Sequence, residues 1–397
     1  MVLNKKWIHD SILLKSHNRQ KGHHESTRTI LPKYALPRQW KNRRRKHHYS
    51  FEKGKPIPLQ VLSENLLFKN WNSFVWDKKS PELFVQVITL LTYGCPRKAI
   101  EATYGLHENT IRDWERRAGQ HCEEVHEHLV AKQQLDLQHV QADEIKVKGN
   151  GSSFWLAMAI MVSTRLWLGG VIAPKRDKKL IQRLTDLIAR MALYRPLLLA
   201  VDGLPGYVSA FLKSFRFSIR TGKRGAPRKR LWDVIHIVQV IKSPPTSDRS
   251  ITRRVAHGCG EMVQRLLNAS SGGQVINTAF IERLNGTFRQ RLTVLNRRGR
   301  ATVKRIDTLN HLMMIMGCVY NFCTPHQSLR LTLELPRSSK RLYRHRHIQR
   351  TPAMAAGLTD HRWSVAELLT FKVPTRFKPP KKRGRKPKIV CPHCSIS

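Results

Sequence analysis

The sequence predicts an α/β protein: a mixed sheet flanked by helices, preceded by an all-α helix-turn-helix segment, with basic flexible arms at both ends. Three observations carry this. Residues 137–220 alternate short apolar runs with helical repeats, in the order three strands, helix, strand, helix, strand. Residues 81–132 show helical periods and glycine stops but no strand run. The chain carries 72 Lys+Arg against 27 Asp+Glu, a formal net charge of +45, while 41% hydrophobic residues suffice for a core. That excess of cations points to a polyanionic partner, most simply nucleic acid. No apolar run approaches the roughly 18 residues of a spanning helix. The start, MVLNKKWIHDSILLK, lacks an apolar signal region, and seven scattered cysteines predict a reducing, intracellular setting.

Residues 1–80 read as a basic arm. Its densest part, WKNRRRKHHYS, includes Arg43, Arg44 and Arg45, and Pro32, Pro37, Pro56 and Pro58 argue against a long helix there. Phosphates of a nucleic acid would order it. Residues 81–132 follow as the helix-turn-helix. PELFVQVITLLTYG closes at Gly94, PRKAIEATYG begins with proline and ends in Gly105, and a longer helix runs on from Leu106. Glu108, Asn109, Arg112 and Arg116 would face outward near the start of that helix, where Asn and Arg side chains can read base edges. The acidic continuation, Glu123, Glu124 and Glu127, suits a packing helix.

The segment 137–335 is expected to form one α/β unit with an insertion at 221–276. LQHVQADEIKVK, SFWLAMAIMVST and RLWLGGVIAP are strands; KKLIQRLTDLIARMAL is a helix. RPLLLAVDG gives a buried strand, YVSAFLKSF a short helix and RFSIR a fifth strand, a ribonuclease-H-like order. Within the insertion, WDVIHIVQVIKS reads as a strand and VAHGCGEMVQRLLN as a helix. Asn277 to Arg300 forms an amphipathic helix and a basic loop. Ile281, Leu284, Phe288, Leu292 and Leu295 line its apolar stripe, and Glu282, Asn285 and Arg289 form a polar row beside it.

Asp143 lies on the first strand and Asp202 ends the fourth, which neighbours the first in this topology; the helix carrying Glu282 would pack beside them. Three converging carboxylates repel one another unless cations sit between them, and hard oxygen ligands suit Mg²⁺ or Mn²⁺. Two such ions roughly 3.5–4 Å apart serve an in-line attack on a phosphodiester. Among other acids, Glu144 should point to the opposite face of its strand; Asp177 and Asp186 read as a helix cap and a surface residue; Glu261 is the reserve for the third acid.

The blocks QADEIKVK, AVDGLPGY, NTAFIERLNGTFRQRL and LNRRGRA together resemble the DDE transposases of bacterial and archaeal insertion sequences. The likeness runs from the helix-turn-helix to about Leu331. It implies a ribonuclease-H-like catalytic domain with two divalent ions, recognition of terminal inverted repeats, and cutting then joining of DNA strands by an assembly of two or more copies in a prokaryotic cytoplasm, on the nucleoid. Asp143, Asp202 and Glu282 match the family's three acids and metal ligands; Asn285 and Arg289 match residues that accompany the Glu. The simplest members keep a short gap between the second Asp and the Glu, and here residues 203–281 intervene. Arg297, Arg298 and Arg300 are expected to wrap DNA near the site. The segment after them reads as a last helix, in which Tyr320, Asn321 and His326 are taken as structural rather than catalytic.

Residues 336–397 form a basic tail. A short helix, SVAELL, is capped by Ser364, and KPPKKRGRKPK, with Arg383 and Arg385, resembles an AT-hook for the minor groove of A·T-rich DNA. The terminal CPHC, Cys391 to Cys394, offers half a zinc site, which Cys318 and Cys323 or a second subunit would have to complete. Two other classes compete with a transposase. One is a DNA-binding protein without catalysis; the other is a nuclease of RNA–DNA hybrids, which a helix-turn-helix disfavours.

Overall fold

Ser80 opens the first helix by accepting a hydrogen bond from the Leu83 amide, with Pro81 at its first position. This helix, α1 (Pro81–Thr92), is followed by α2 (Arg97–Tyr104) and α3 (Glu108–His126). Gly105 ends α2 in the left-handed region, and a π turn at Glu127–Ala131 prolongs α3. The computed structural model describes residues 80–220, 225–242, 250–296, 299, 301–333 and 347–374. They lie in one compact unit, Asn65–Ser397. The predicted contacts at Arg43, Arg44, Arg45, Arg297, Arg298, Arg300, Arg383 and Arg385, and the CPHC segment, fall outside the described residues.

The remaining elements are β1 (His139–Lys148), β2 (Ser153–Met161), β3 (Trp167–Ala173), α4 (Lys178–Met191), β4 (Leu197–Asp202), α5 (Pro205–Ser214), β5 (Arg216–Ile219), β6 (Arg228–Leu231), β7 (Ile235–Lys242), β8 (Ile251–His257), α6 (Gly260–Ala269), α7 (Ala279–Arg291), α8 (Ile306–Cys318), β9 (His326–Thr332), β10 (His347–Arg350), α9 (Pro352–Ala355) and α10 (Val365–Thr370). Six strands form a mixed sheet in the order β3-β2-β1-β4-β7-β8. β1 and β4 run parallel, as do β4 and β7; the other pairs are antiparallel. A mixed sheet flanked by helices in this order is compatible with the ribonuclease-H-like arrangement.

The fifth strand of that sheet is not RFSIR, as the sequence reading had it. β5 is exposed along its length and pairs with β6 in a separate ribbon. The place beside β4 goes to β7, whose first six residues are buried. Residues 221–276 are therefore no insertion outside the core order, since they supply two strands of the sheet. The physical reason is apolar content: IHIVQVIK can be covered on both faces, whereas the short, basic RFSI cannot. Val255 to His257, expected in a helix, end β8 instead, and His326 to Leu331, expected as the end of the last helix, lie in β9, which pairs with β10.

The helices before the sheet share its core. Phe84, Ile88, Ile111, Trp114 and Cys122 belong to the same buried cluster as β1, β2 and α8. α3 crosses α8 at Gly119, where a Cβ would fall 2.4 Å from the His311 Cβ. α8 in turn lies on β3, with Asn321 just beyond it bonding both the amide and the carbonyl of Trp167 at 2.9 Å. The expectation that Asn321 is structural fits this contact. Among the described residues, no helix is long and apolar enough to cross a membrane.

One side chain docks α7 on the sheet. Gln141 is fully buried on β1. Its Oε1 accepts from the amides of Phe280 (3.0 Å) and Ile281 (3.1 Å), and its Nε2 donates to the carbonyl of Asn277 (2.8 Å). It thus satisfies amides that a helix N-terminus leaves open. Gln141→Leu removes these bonds and strands three backbone groups in the interior. A loss of about 2–4 kcal/mol is expected, measured by urea denaturation.

Candidate active site

β1 and β4 bring two acids side by side. His139 pairs with Leu198 and Gln141 with Ala200. The same register carried two residues further sets Asp143, midway along β1, level with Asp202 at the carboxyl end of β4. Asp143 shares its face of β1 with Gln141, so it meets α7: Asn285 Nδ2 donates to Asp143 Oδ2 at 2.8 Å. Asp202 is held by its own turn, with Oδ1 accepting from the Leu204 amide at 3.0 Å. Gln239 of β7, fully buried, donates to the carbonyls of Asp202 and Leu204, and Arg254 of β8 donates to the Gln239 carboxamide oxygen at 2.7 Å. Two strands from the segment that the sequence reading set apart as an insertion thus brace the second acid.

Glu282 lines the same pocket as Asp143 and Asp202, a cavity of about 440 Å³. Its carboxylate is turned toward Lys242, at the end of β7, with Nζ to Oε1 2.5 Å, and also accepts from Thr278 Oγ1 at 2.9 Å. Partial burial pushes the Glu282 carboxyl up, but the bonds from Lys242 and Thr278 outweigh it and hold the group below the usual range. Asp143 moves the other way. Burial raises its pKa; the charges of Asp202 and Glu282 add to the rise, against the Glu144 backbone amide and the more distant Arg289.

The closest trio is not the expected one. Among the described residues, the carboxylates of Asp143, Glu144 and Asp202 form the one group of three potential metal ligands, with ligand oxygens within 4.8 Å of one another. Glu144 does leave β1 on the face opposite Asp143, the face of Trp155, as alternation requires. Alternation fixes the direction of Cβ, however, and not the end of a side chain two methylenes long. Its carboxylate reaches the strand end, where Arg176 Nη2 bridges Glu144 Oε2 (3.0 Å) and Asp202 Oδ2 (3.1 Å). The Arg176 guanidinium also lies 5.2 Å from the Trp155 ring centroid. Glu144 Oε1 is buried, with the fully buried Tyr207 hydroxyl close enough to interact with this carboxylate. Burial pushes this carboxyl up to about 7; Arg176 opposes the rise, and Asp202 and Asp143 add to it.

Sequence reasoning therefore missed Gln141, Glu144, Arg176, Gln239 and Lys242. The DEI triplet and the PKRDKK turn carried a faint signal for Glu144 and Arg176. The competing acids behave as expected: Asp177 caps α4 by accepting from the Leu180 amide, and Asp186 is exposed and bonded to Gln182 and Ser214. Glu261 opens α6, exposed and outside the acidic pocket.

Asn109, Arg112 and Arg116 are exposed on α3, Arg112 paired with Glu108 (2.7 Å) and Arg116 with Asp113 (2.6 Å). Cys318 and Cys323 are core thiols. Cys318 donates to the Cys122 carbonyl, and burial pushes Cys323 up to about 12. Compared with known proteins, the chain matches no protein-family model and no curated protein.

Two outcomes follow from this geometry. Arg176 competes with any cation for Glu144 and Asp202, so Arg176→Met should tighten Mn²⁺ binding roughly tenfold, about 1.4 kcal/mol, in an electron paramagnetic resonance titration. Weaker binding in that variant would mean that Arg176 organises the carboxylates rather than blocking them. The second outcome concerns pH. Glu144 holds its proton more tightly folded, at about 7, than unfolded, near 4.5. Without metal, stability should fall as pH rises from about 4.5 to about 7, by up to about 3 kcal/mol. Denaturation across that range should show the slope flattened in Glu144→Gln.

Proposed function

We propose that the chain is a DNA transposase of ribonuclease-H-like architecture, cutting and joining strands at the pocket of Asp143, Asp202 and Glu282. The observation that carries this reading is the convergence of two acids from adjacent parallel strands and one from a helix docked across them. The donor set fits a hard divalent ion such as Mg²⁺ or Mn²⁺. All its ligand atoms are carboxylate oxygens, and the Glu144 carboxylate is buried, with the fully buried Tyr207 hydroxyl close enough to interact with it. Asp143 and Asp202 would hold such ions, with Glu144 behind them and Glu282 joining once released from Lys242. An ion held there would supply activation of a water or 3′-hydroxyl and stabilisation of the oxygen that leaves phosphorus.

The chain's own residues do the rest. Asn285 fixes the Asp143 carboxylate, and the Asp202 turn is locked by Gln239. Arg176 and Lys242 line the pocket and present cations to non-bridging phosphate oxygens. In this reading α2 and α3 form the helix-turn-helix that reads element ends through Asn109, Arg112 and Arg116. The basic arms hold phosphates, and two or more copies act together on two ends. The ion pair of Glu282 with Lys242 favours a second reading, a DNA-binding protein that does not cut.

Strand cleavage and joining on labelled element-end DNA, with Mg²⁺ or Mn²⁺, separates the two. Glu282→Gln and Asp143→Asn should lower the rate by more than the roughly 10–100-fold typical of losing a supporting residue around a metal, with DNA binding intact. Full activity in Glu282→Gln would move the third role to Glu144. Sequence-specific binding with no cleavage in any form of the protein would favour the second reading.

A further inference from the structure

A second polar cavity opens at the far end of α7. It encloses about 380 Å³, and Tyr93, Gln290, Arg291, Tyr320, Thr324 and His326 line it. Three segments build it. Gly94, at φ +85°, folds the chain after α1 against the end of α7; a Cβ there would lie 3.1 Å from the Arg291 carbonyl oxygen. This approach sets the Tyr93 ring over Arg291, whose guanidinium carbon is 4.7 Å from the ring centroid. Arg291 Nη1 also donates to Thr324 Oγ1 at 3.3 Å. The π turn after α8 places Tyr320 edge-on to His326, with centroids 4.8 Å apart.

The lining asks for a particular chemistry. Tyr93 is 57% exposed and offers a flat apolar face. Arg291 offers a charge to an anion. His326 Nε2 is buried with no hydrogen-bond partner among the described residues. Burial, then the charges of Arg165, Arg291 and Arg283, bring His326 down to about 4, so its ring is neutral at pH 7. A neutral ring has one donor or acceptor left at Nε2, and Gln290 lines the same cavity with an amide. A flat face, an anion and a polar edge together describe a nucleotide.

We propose that this cavity holds one unpaired nucleotide of the DNA strand whose neighbouring phosphates lie in the acidic pocket. The inference rests on the DNA reading above and adds a second anchor to it. α7 links the two places. Glu282 and Gln290 are eight residues apart, about 12 Å of helix, or three to four nucleotides at stacked spacing. Arg283, Gly286 and Gln290 are exposed along that path, and Gly286 leaves open space where a side chain would stand. A strand can lie along α7 with its scissile end at Glu282 and an unstacked base in the cavity.

The test uses the full chain in EDTA, so that cleavage plays no part. The probe is a duplex with a short single-stranded extension carrying 5-iododeoxyuridine, with a blunt duplex and the free 5-iodo nucleotide as controls. Irradiation should crosslink the extension to the peptide bearing Tyr93. Tyr93→Ala, at an exposed position, should weaken binding of the extended duplex about tenfold and leave the blunt duplex unchanged; His326→Ala should act in the same direction. Equal binding of both duplexes, unaffected by Tyr93→Ala, would overturn the proposal and leave the DNA reading standing. Crosslinking by the free nucleotide as strong as by the strand would replace it with a small-nucleotide site. Failure to bind either duplex would remove the DNA reading and this inference together.

Discussion

The buried carboxamide of Gln141 is the contact on which the site depends. Three backbone groups at the start of α7 end on it, and it lies two residues before Asp143 on the same face of β1. Strand periodicity then leaves Asp143 nowhere to point but at α7, where Asn285 receives it. One side chain therefore sets both the height of the helix along the strand and the distance between the acids of β1 and of α7. A Glu or Asp at position 141 would offer no donor to the Asn277 carbonyl, and a shorter Asn would not reach. The requirement is for an amide of this length.

Around that frame the electrostatics are opposed in a way that a purely structural cluster does not need. Acids gathered at a strand end raise one another's cost of ionisation, and burial raises it further for Asp143 and Glu144. The fold answers with two cations, Arg176 on Glu144 and Asp202, and Lys242 on Glu282. Both cations are on half-exposed side chains that can swing away, whereas the carboxylates of Asp143 and Glu144 are fixed by burial and by neighbours. Fixed anions with movable counter-ions would let another cation replace them at little structural cost.

The sequence made the sheet legible because its strands are apolar runs bounded by Gly, Pro and Asp, and it placed Asp143, Asp202 and Glu282 around one pocket. It failed where local pattern and tertiary pairing part company. RFSIR has the period of a strand, yet it lacks the apolar content to sit inside a sheet, and β7 took that place. Glu144 was sent away by alternation, which governs Cβ and not a carboxylate at the end of a longer chain. Gln141 and Gln239 carried no signal of their own, and Arg176 only a faint one. Their roles come from partners far away in sequence, such as Phe280, Asp202 and Leu204, which only the folded chain brings near.

The helical segment before the sheet has a bearing on how such a site would be used. α3 crosses α8 at Gly119 with no room for a Cβ, and α8 presses Gly317 on the Trp167 ring, where a Cβ would lie 2.1 Å from the nearest ring atom. Two crossings that close leave no slack between α3 and β3, and β3 is joined to β1 through β2. The exposed Asn109, Arg112 and Arg116 are thus tied to the acids by packed core and not by a linker. If α3 reads a DNA sequence, the offset between the bases it reads and the phosphate held at Asp143 is set by helix and strand packing. The place of the cut relative to the recognised bases then changes only with substitutions that move this packing. Changes at the DNA-facing side chains would alter which bases are read and leave the offset unchanged.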